Sequence, residues 1–143
     1  MKILEILTPR RKTGNIGEAA AAKYLKKQGF RILERNFSTD NAEIDIIAKK
    51  DNLIAFVEVK TRTLGHENPK EPRPASAVTA EKQRKIIRAA SYYLNHNRQN
   101  ARSRFDIIEV FLEENKKKPK EIKHLTAAFD LNTAYAKPYK ERK

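Results

Sequence analysis

The chain has 143 residues, of which 39% are hydrophobic and 34% charged, a composition typical of one globular domain rather than of a disordered chain. Lys and Arg number 31 against 18 Asp and Glu, and the formal net charge of +13 favours a polyanionic partner, above all nucleic acid. The sequence has no cysteine, which excludes a disulfide framework and thiolate catalysis. It also has no apolar run of transmembrane length, so we expect a cytoplasmic protein without a membrane partner.

The first half of the chain predicts a basic arm, a helix and three strands. Residues 1–13 form the expected arm, and apolar residues at helical spacing predict a helix over 15–28, with Gly29 at its left-handed C-cap. Strand-like runs follow at residues 30–37, 43–48 and 53–60. Because residues 53–57 are all apolar, both faces of the third strand should be covered, which predicts a central position in the sheet.

The second half predicts a long loop, a second helix and two more strands. Residues 61–75 form the loop, and Thr79 is the expected N-cap of a helix over 80–96. The later elements are strands over 104–112 and 121–125, a basic turn over 115–120 and a basic C-terminal tail over 131–143. A domain over 14–130 with this order of elements predicts an α/β fold, in which helices flank a mixed central sheet.

The residues that indicate chemistry are Asp45, Glu58 and Lys60. Side chains two apart on a strand share a face, about 6.5–7 Å apart, so Glu58 and Lys60 point to the same side of the third strand. In an antiparallel hairpin centred near Asn52, position 46 pairs with 58, and Asp45 lies within one residue of register with Glu58. Charges at the end of an apolar strand are costly unless they are paired or hold a metal, so a plain ion pair is the alternative to a metal site.

A divalent cation would remove the repulsion between Asp45 and Glu58. Ligands that are all oxygen suit Mg²⁺ or Mn²⁺ rather than zinc. Such a site can activate water and stabilise negative charge on a phosphate, as phosphodiester hydrolysis requires. Lys60 would then hold the water or neutralise the transition state, while the basic surface would attract the substrate.

These residues also give the chain two family resemblances. Glu43-Ile-Asp45, followed after twelve residues by Glu58-Val-Lys60, resembles the two-part signature of the PD-(D/E)xK nucleases. A wider pattern, from about residue 13 to 130, is similar to the YraN-like family of bacterial proteins. That pattern also includes Gly17-Glu18, Gly29-Phe30, Arg35-Asn36, the stretch from Phe56 to Arg62, Lys82 and Arg104-Phe-Asp106.

The resemblance implies a restriction-endonuclease-like αβββαβ core, similar to that of archaeal Holliday-junction resolvases. Carried over by position, Asp45 and Glu58 would be metal ligands, joined by the backbone carbonyl of Val59. Lys60 would be the catalytic lysine, and Glu18 would act from the first helix. The same resemblance implies a homodimer, since junction resolvases need two active sites for two strands.

Several charged residues have two interpretations each. Asn15 and Glu18 form a capping-box pattern, in which Glu18 would bond back to the start of the helix; the alternative is a role in the site. Lys82 and Arg62 are candidate nucleic-acid contacts. The alternatives are a lysine whose stem covers apolar surface and an arginine that is merely solvated.

Two further acidic residues are assigned supporting roles. Glu43 shares a strand face with Asp45 and is expected to be solvated or to assist it. Asp106 lies on the predicted fourth strand, where we favour a structural ion pair with Arg104 or Arg35. The three histidines have no ligand spacing and are expected to be ordinary residues.

Three functions therefore compete. The first is a metal-dependent endonuclease that cuts DNA, with branched or otherwise structured DNA as the expected substrate. The second is a nucleic-acid-binding protein on a nuclease-like scaffold that does not cut, which predicts salt-sensitive binding without a need for metal. The third is a basic module that binds ribosomal or other acidic partners, which predicts no affinity for DNA.

Overall fold

The structure, a computed structural model, describes residues 9–40, 42–65, 78–114 and 118–135. Its elements are α1 (Pro9–Lys27), β1 (Arg31–Ser38), β2 (Glu43–Lys50), β3 (Leu53–Thr63), α2 (Ala80–His96), β4 (Arg102–Leu112), β5 (Pro119–Phe129) and α3 (Leu131–Ala134). The predicted order of helix, three strands, helix and two strands is confirmed, and so is the mixed α/β class. None of the helices in these ranges is long and apolar enough to cross a bilayer.

The five strands form one sheet in the order β1-β2-β3-β4-β5. The prediction that β3 is central is confirmed. β3 pairs with β4 in parallel, while the other neighbouring pairs are antiparallel. Parallel neighbours need a long crossover, and α2 lies in the connection between them.

Each face of the sheet is covered by one of the two long helices. α1 packs on one face, where its residues Ala21 and Leu25 meet Val57 and Ile108 in a buried cluster. α2 packs on the other face, where its buried side chains include Ile86, Ala90 and Tyr93. Glu58 follows Phe56 on the α2 face, so this layer decides what surrounds the candidate site.

The C-terminus of α1 and the N-terminus of α2 follow the predicted capping. Gly29 has φ +94°, and the bonds from Phe30 N to Leu25 O and from Gly29 N to Lys26 O complete a Schellman motif. At the start of α2 the Thr79 hydroxyl accepts from Lys82 N at 3.2 Å. The second cap fixes the first turn of α2, which carries Lys82.

Several predicted boundaries were wrong. α1 begins at Pro9, so residues 9–13 of the predicted arm are helical and Asn15 lies inside the helix rather than at its N-cap. β5 runs over Pro119–Phe129, well beyond the predicted 121–125, and α3 lies at the start of the predicted tail. Residues 1–8, 66–77, 115–117 and 136–143, which hold most of the predicted arm, loop, turn and tail, lie outside the described residues.

The buried carboxylate of Asp106 joins β4 to β5 and α1. Arg104 donates to both carboxylate oxygens at 2.9 Å, which confirms the predicted structural pair. His124 Nε2 lies 2.8 Å from Asp106 Oδ2, and its Nδ1 lies 3.1 Å from the Tyr24 hydroxyl. Ala127, at φ +49° where β5 departs from regular pairing, donates its N–H to Asp106 at 3.0 Å. This network is structural, as expected, and lies on the α1 side of the sheet.

Candidate active site

The hairpin of β2 and β3 places two carboxylates opposite each other. Its turn at residues 51–52 sets a register in which the ladder ends at Ile46 paired with Val57. Continued by one residue, this register brings Asp45 opposite Glu58. The predicted register, with 46 opposite 58, was therefore wrong by one residue, and the difference brings the two acids closer together.

Asp45 lies where the pairing between β2 and β3 ends. Its Oδ2 accepts the backbone N–H of Val59 at 2.7 Å, so the carboxylate takes the place of the next ladder partner. The bond holds the side chain of Asp45 against β3, between the two strands. Whether the Val59 carbonyl binds a metal stays a prediction.

Two lysines meet the carboxylate of Glu58, which is only 8% exposed. Lys60, two residues along β3, has its Nζ 3.7 Å from Glu58 Oε1, as the shared strand face predicts. Lys82 reaches the same oxygen from α2 at 2.7 Å. Without the Lys82 contact, burial of this carboxylate would be costly.

Glu18 belongs to the same acidic cluster, because α1 approaches β3 closely. A Cβ on Gly17 would lie 1.9 Å from Thr61 Oγ1, so only glycine permits this approach. The capping-box interpretation of Glu18 is wrong, since its partner Asn15 lies within the helix. Glu18 instead faces β1, where its Oε2 lies 4.0 Å from Arg35 Nη2.

Asn36 is a component of the site that the sequence analysis did not single out for a role. In the orientation that satisfies both neighbours, its amide nitrogen donates to Glu18 Oε2 at 3.1 Å and to Glu43 Oε1 at 3.2 Å. Its φ of +52° is a conformation that asparagine tolerates better than most residues. The Arg35-Asn36 pair was part of the family pattern, and this was the only signal that could have drawn attention to it.

The cluster perturbs the protonation of its members. Burial, the charge of Glu58 and, more weakly, the charges of Glu18 and Glu43 raise the pKa of Asp45 to about 7 from an ordinary value of 3.8. Burial also raises the pKa of Glu18. Burial alone would lower the pKa of Lys82, but its hydrogen bond to Glu58 and the charges of Glu58 and Asp45 raise it. The site therefore holds more negative charge than its two lysines neutralise.

A groove leads from solvent to these side chains. Its volume is about 510 Å³, and it is lined by Glu43, Asp45, Glu58, Lys82 and Lys85 together with four residues at its wall and rim, Ala42, Thr79, Glu81 and Ile86. Asp45 and Glu58 thus open on the same side of the sheet.

The donor set, which is all oxygen, fits a hard cation such as Mg²⁺ or Mn²⁺ better than zinc. In the described residues no three acidic or imidazole groups form a ready-made cage. Mg²⁺ does not require one, because it keeps several waters and takes one or two carboxylates. Asp45 and Glu58 supply two carboxylates, and a cation there would remove the repulsion that helps to raise the pKa of Asp45.

The two predicted nucleic-acid contacts have different surroundings. Lys82 lines the groove and contacts Glu58. The sequence predicted that Lys82 contacts nucleic acid, but it did not indicate Glu58 as a partner. Arg62 Nε lies 2.6 Å from Glu109 Oε2, and both side chains are largely buried. Neutralising Glu109 accounts for the placement of Arg62, and its contact with a phosphate stays a prediction.

The fold and the site define a class, a small mixed α/β domain in which carboxylates and lysines converge where two central strands separate. Residues 17–110, which include Glu18, Asp45, Glu58, Lys60 and Lys82, match Uncharacterised protein family UPF0102. The chain belongs to that family, which confirms the expected YraN-like membership.

Several members of that family match most of the chain. A UPF0102 protein of Chloroherpeton thalassium is 47% identical over 105 residues, which are 73% of this chain and 78% of the relative. One from Caldanaerobacter subterraneus subsp. tengcongensis is 42% identical over 121 residues, 84% of this chain and 96% of the relative. One from Desulfosudis oleivorans is 43% identical over 130 residues, 90% of this chain and 98% of the relative.

Proposed function

We propose that the protein is a Mg²⁺- or Mn²⁺-dependent endonuclease that hydrolyses phosphodiester bonds of DNA, with branched or otherwise structured DNA as its substrate. One observation carries the proposal. Asp45, held by Val59 N–H, and Glu58, beside Lys60 and Lys82, converge at one groove with a pKa for Asp45 near neutrality. Perturbed acids in a cleft are typical of functional sites.

Each side chain has a role that its position supports. Asp45 and Glu58 would hold the cation, which when bound lowers the pKa of an attacking water and polarises the phosphate. Lys60 offers N–H donors to the water and to the phosphate oxygen on which negative charge develops. Glu18, held near Arg35, adds negative charge that strengthens the attraction for a cation.

The charge of the whole chain supports a polyanionic substrate. The formal net charge is +13, and positively charged proteins attract nucleic acid at rates that fall with salt. The acidic cluster is a local exception within this positive field. A metal-dependent cut requires that combination, in which the surface binds phosphates and the groove binds a cation.

Three finer expectations belong to the same proposal. We place the activity in the cytoplasm, and the core with the restriction-endonuclease-like nucleases. The resemblance to junction resolvases predicts a homodimer, because two strands are cut by two sites. Light scattering at several protein concentrations tests the last point.

A second candidate function is nucleic-acid binding without cleavage. The observation that favours it is the contact between Lys82 Nζ and Glu58 Oε1 at 2.7 Å, which satisfies the buried carboxylate without a metal. This candidate predicts salt-sensitive binding that is the same with EDTA and with Mn²⁺. It also predicts no heat of Mn²⁺ binding by calorimetry.

Cleavage assays test the proposal directly. Labelled four-way junction, flap, single-stranded and duplex DNA are incubated with Mg²⁺, Mn²⁺ or EDTA. We expect metal-dependent cleavage of at least one structured substrate by the wild type. Glu58→Gln and Lys60→Met should each lose at least about a hundredfold in rate while binding is kept, as expected for groups that stabilise the transition state.

A matched variant guards against contaminating nucleases and against loss of fold. Glu121, exposed on β5, lies outside the residues that line the groove, and Glu121→Gln should cleave like the wild type. Cleavage that survives Glu58→Gln unchanged would come from a contaminant. Inactivity of the wild type on every substrate with both metals would overturn the proposal.

A further inference from the structure

The exposed face of α2 carries three cations followed by two rings. Lys82, Lys85 and Arg88 are spaced by three residues, and Tyr92 and His96 follow at intervals of four. Residues three or four apart lie on one side of a helix, so these five form a single row, here called the α2 stripe. At a rise of about 1.5 Å per residue the row is about 21 Å long.

The α2 stripe is continuous with the candidate active site. Its first two residues, Lys82 and Lys85, line the groove that contains Asp45 and Glu58. A second groove, of about 370 Å³, is lined by Lys85, Arg88 and Tyr92 of α2 and by residues 38–40 at the end of β1. Because Lys85 lines both grooves, the two grooves are neighbours along α2.

The far end of the α2 stripe is an aromatic shelf. Tyr92 is 50% exposed although it is a large ring. The ring of His96 stacks on it with a centroid distance of 3.8 Å and an interplanar angle of 25°, and the ring of Phe37 lies 6.4 Å away. An exposed ring that its neighbours hold in place is a surface on which an unpaired base can stack.

The arrangement favours a single strand over a duplex. A single row of cations can follow one phosphate backbone. In a duplex the bases are already paired and stacked on each other, so none is free to stack on Tyr92. Three carboxylates oppose the cations, because Glu58 lies 2.7 Å from Lys82, Glu81 lies 3.5 Å from Lys85, and Asp40 lines the second groove. Binding that depended on charge alone would therefore be weak here, and the ring must contribute.

We propose that the α2 stripe binds a single-stranded extension of the DNA substrate. Phosphates lie against Lys85 and Arg88, and one unpaired base stacks on Tyr92. This inference rests on the proposed function, because it names the class of DNA that the same active site would cut. The substrate is then a duplex with an unpaired arm, held so that the junction between the two reaches the carboxylates.

Fluorescence anisotropy in EDTA tests binding without cleavage. The probes are a labelled duplex with a single-stranded overhang and a blunt duplex that carries the same number of phosphates. We expect the overhang to bind more tightly. Tyr92→Leu should weaken overhang binding about tenfold, within the range for loss of one base–aromatic stack, and change blunt-duplex binding less than about twofold.

Matched variants separate stacking from general damage. Tyr92→Phe keeps the ring and should bind like the wild type. Tyr135, at 51% exposure beside Arg84, is a tyrosine of equal exposure outside both grooves, and Tyr135→Leu should have no effect. For the phosphate contacts, Lys85→Gln should reduce the salt dependence of single-strand binding by about 0.7 in slope. Lys23→Gln, an exposed position on α1, should leave the slope unchanged.

The outcomes separate this inference from the proposed function. Equal losses on overhang and blunt duplex in Tyr92→Leu, or no loss on either, would overturn the α2 stripe as a single-strand site. The proposed nuclease function would not be affected by that result, because its test is cleavage that depends on Glu58. Conversely, the protein could bind the overhang through the Tyr92 ring and cut no DNA. That result would support the α2 stripe as a single-strand site and overturn the nuclease proposal. Failure of the wild type to bind any DNA would remove both.

Discussion

Replacing Asp45 by asparagine should make the metal-free protein more stable at neutral and alkaline pH. The side chain keeps its shape, and the amide oxygen of asparagine can still accept the Val59 N–H that Asp45 accepts at 2.7 Å. What disappears is a carboxylate that is buried among other acids. The change therefore removes the electrostatic cost and leaves the packing in place.

The magnitude follows from the pKa of Asp45, which burial and the neighbouring acids raise from 3.8 to about 7. Because the pKa in the fold lies above that in the unfolded chain, the unfolded state binds fewer protons between these values. Stability therefore falls as pH rises from about 4 to about 7, and the whole cost is present above pH 7. Three pKa units correspond to at most about 4 kcal/mol, and we expect about 2–4 kcal/mol because neighbouring acids readjust.

The assay is thermal unfolding in EDTA, followed by circular dichroism from about pH 4.5 to about pH 8.5. The midpoint of Asp45→Asn should exceed that of the wild type by roughly 5–15 °C at the alkaline end. The difference should shrink to about a quarter of that at the acid end, where the unfolded carboxyl is still mostly ionised. Asp40→Asn, at an exposed position, should track the wild type throughout. With Mn²⁺ in place of EDTA, the wild type should become more stable and Asp45→Asn should not change. A difference that is independent of pH would refute the reasoning.

Three more predictions test the site and its supports. Lys82→Met should tighten Mn²⁺ binding about tenfold by calorimetry, because the ammonium that lies 2.7 Å from Glu58 no longer competes with the cation; weaker binding would contradict this. Gly17→Ala should lower the free energy of unfolding by about 1–3 kcal/mol, because a Cβ there would lie 1.9 Å from Thr61 Oγ1. Gly14→Ala is the control: a Cβ there meets no atom within 4 Å, so the change should raise the free energy of unfolding by about 0.5–1 kcal/mol. Asp106→Asn should cost about 3 kcal/mol at neutral pH by denaturant unfolding. Burial alone would raise the pKa of Asp106, but its hydrogen bonds and the charge of Arg104 hold it below its ordinary value. The cost should therefore shrink as pH falls below about 4, and a constant cost would argue against the buried pair.

The sequence by itself determined the order of the elements and the identity of the acidic pair. Apolar residues at helical spacing and a run covered on both faces are local patterns, and local patterns predict helices and a central strand. The alternation of a strand places Glu58 and Lys60 on one face whatever surrounds them. For the same reason Gly29 and Thr79 could be assigned as caps from the chain alone.

Only the tertiary structure decided the surroundings of that pair. The predicted register of the β2–β3 hairpin was wrong by one residue, because register depends on the turn and on the packing of both faces. The contact of Lys82 with Glu58 joins residues 24 positions apart, and it exists because α2 lies on the same side of the sheet as Glu58. The role of Glu18 depended on where α1 begins and on how closely Gly17 approaches β3. Contacts between distant segments arise from the way the layers pack, and no short stretch of sequence contains that information.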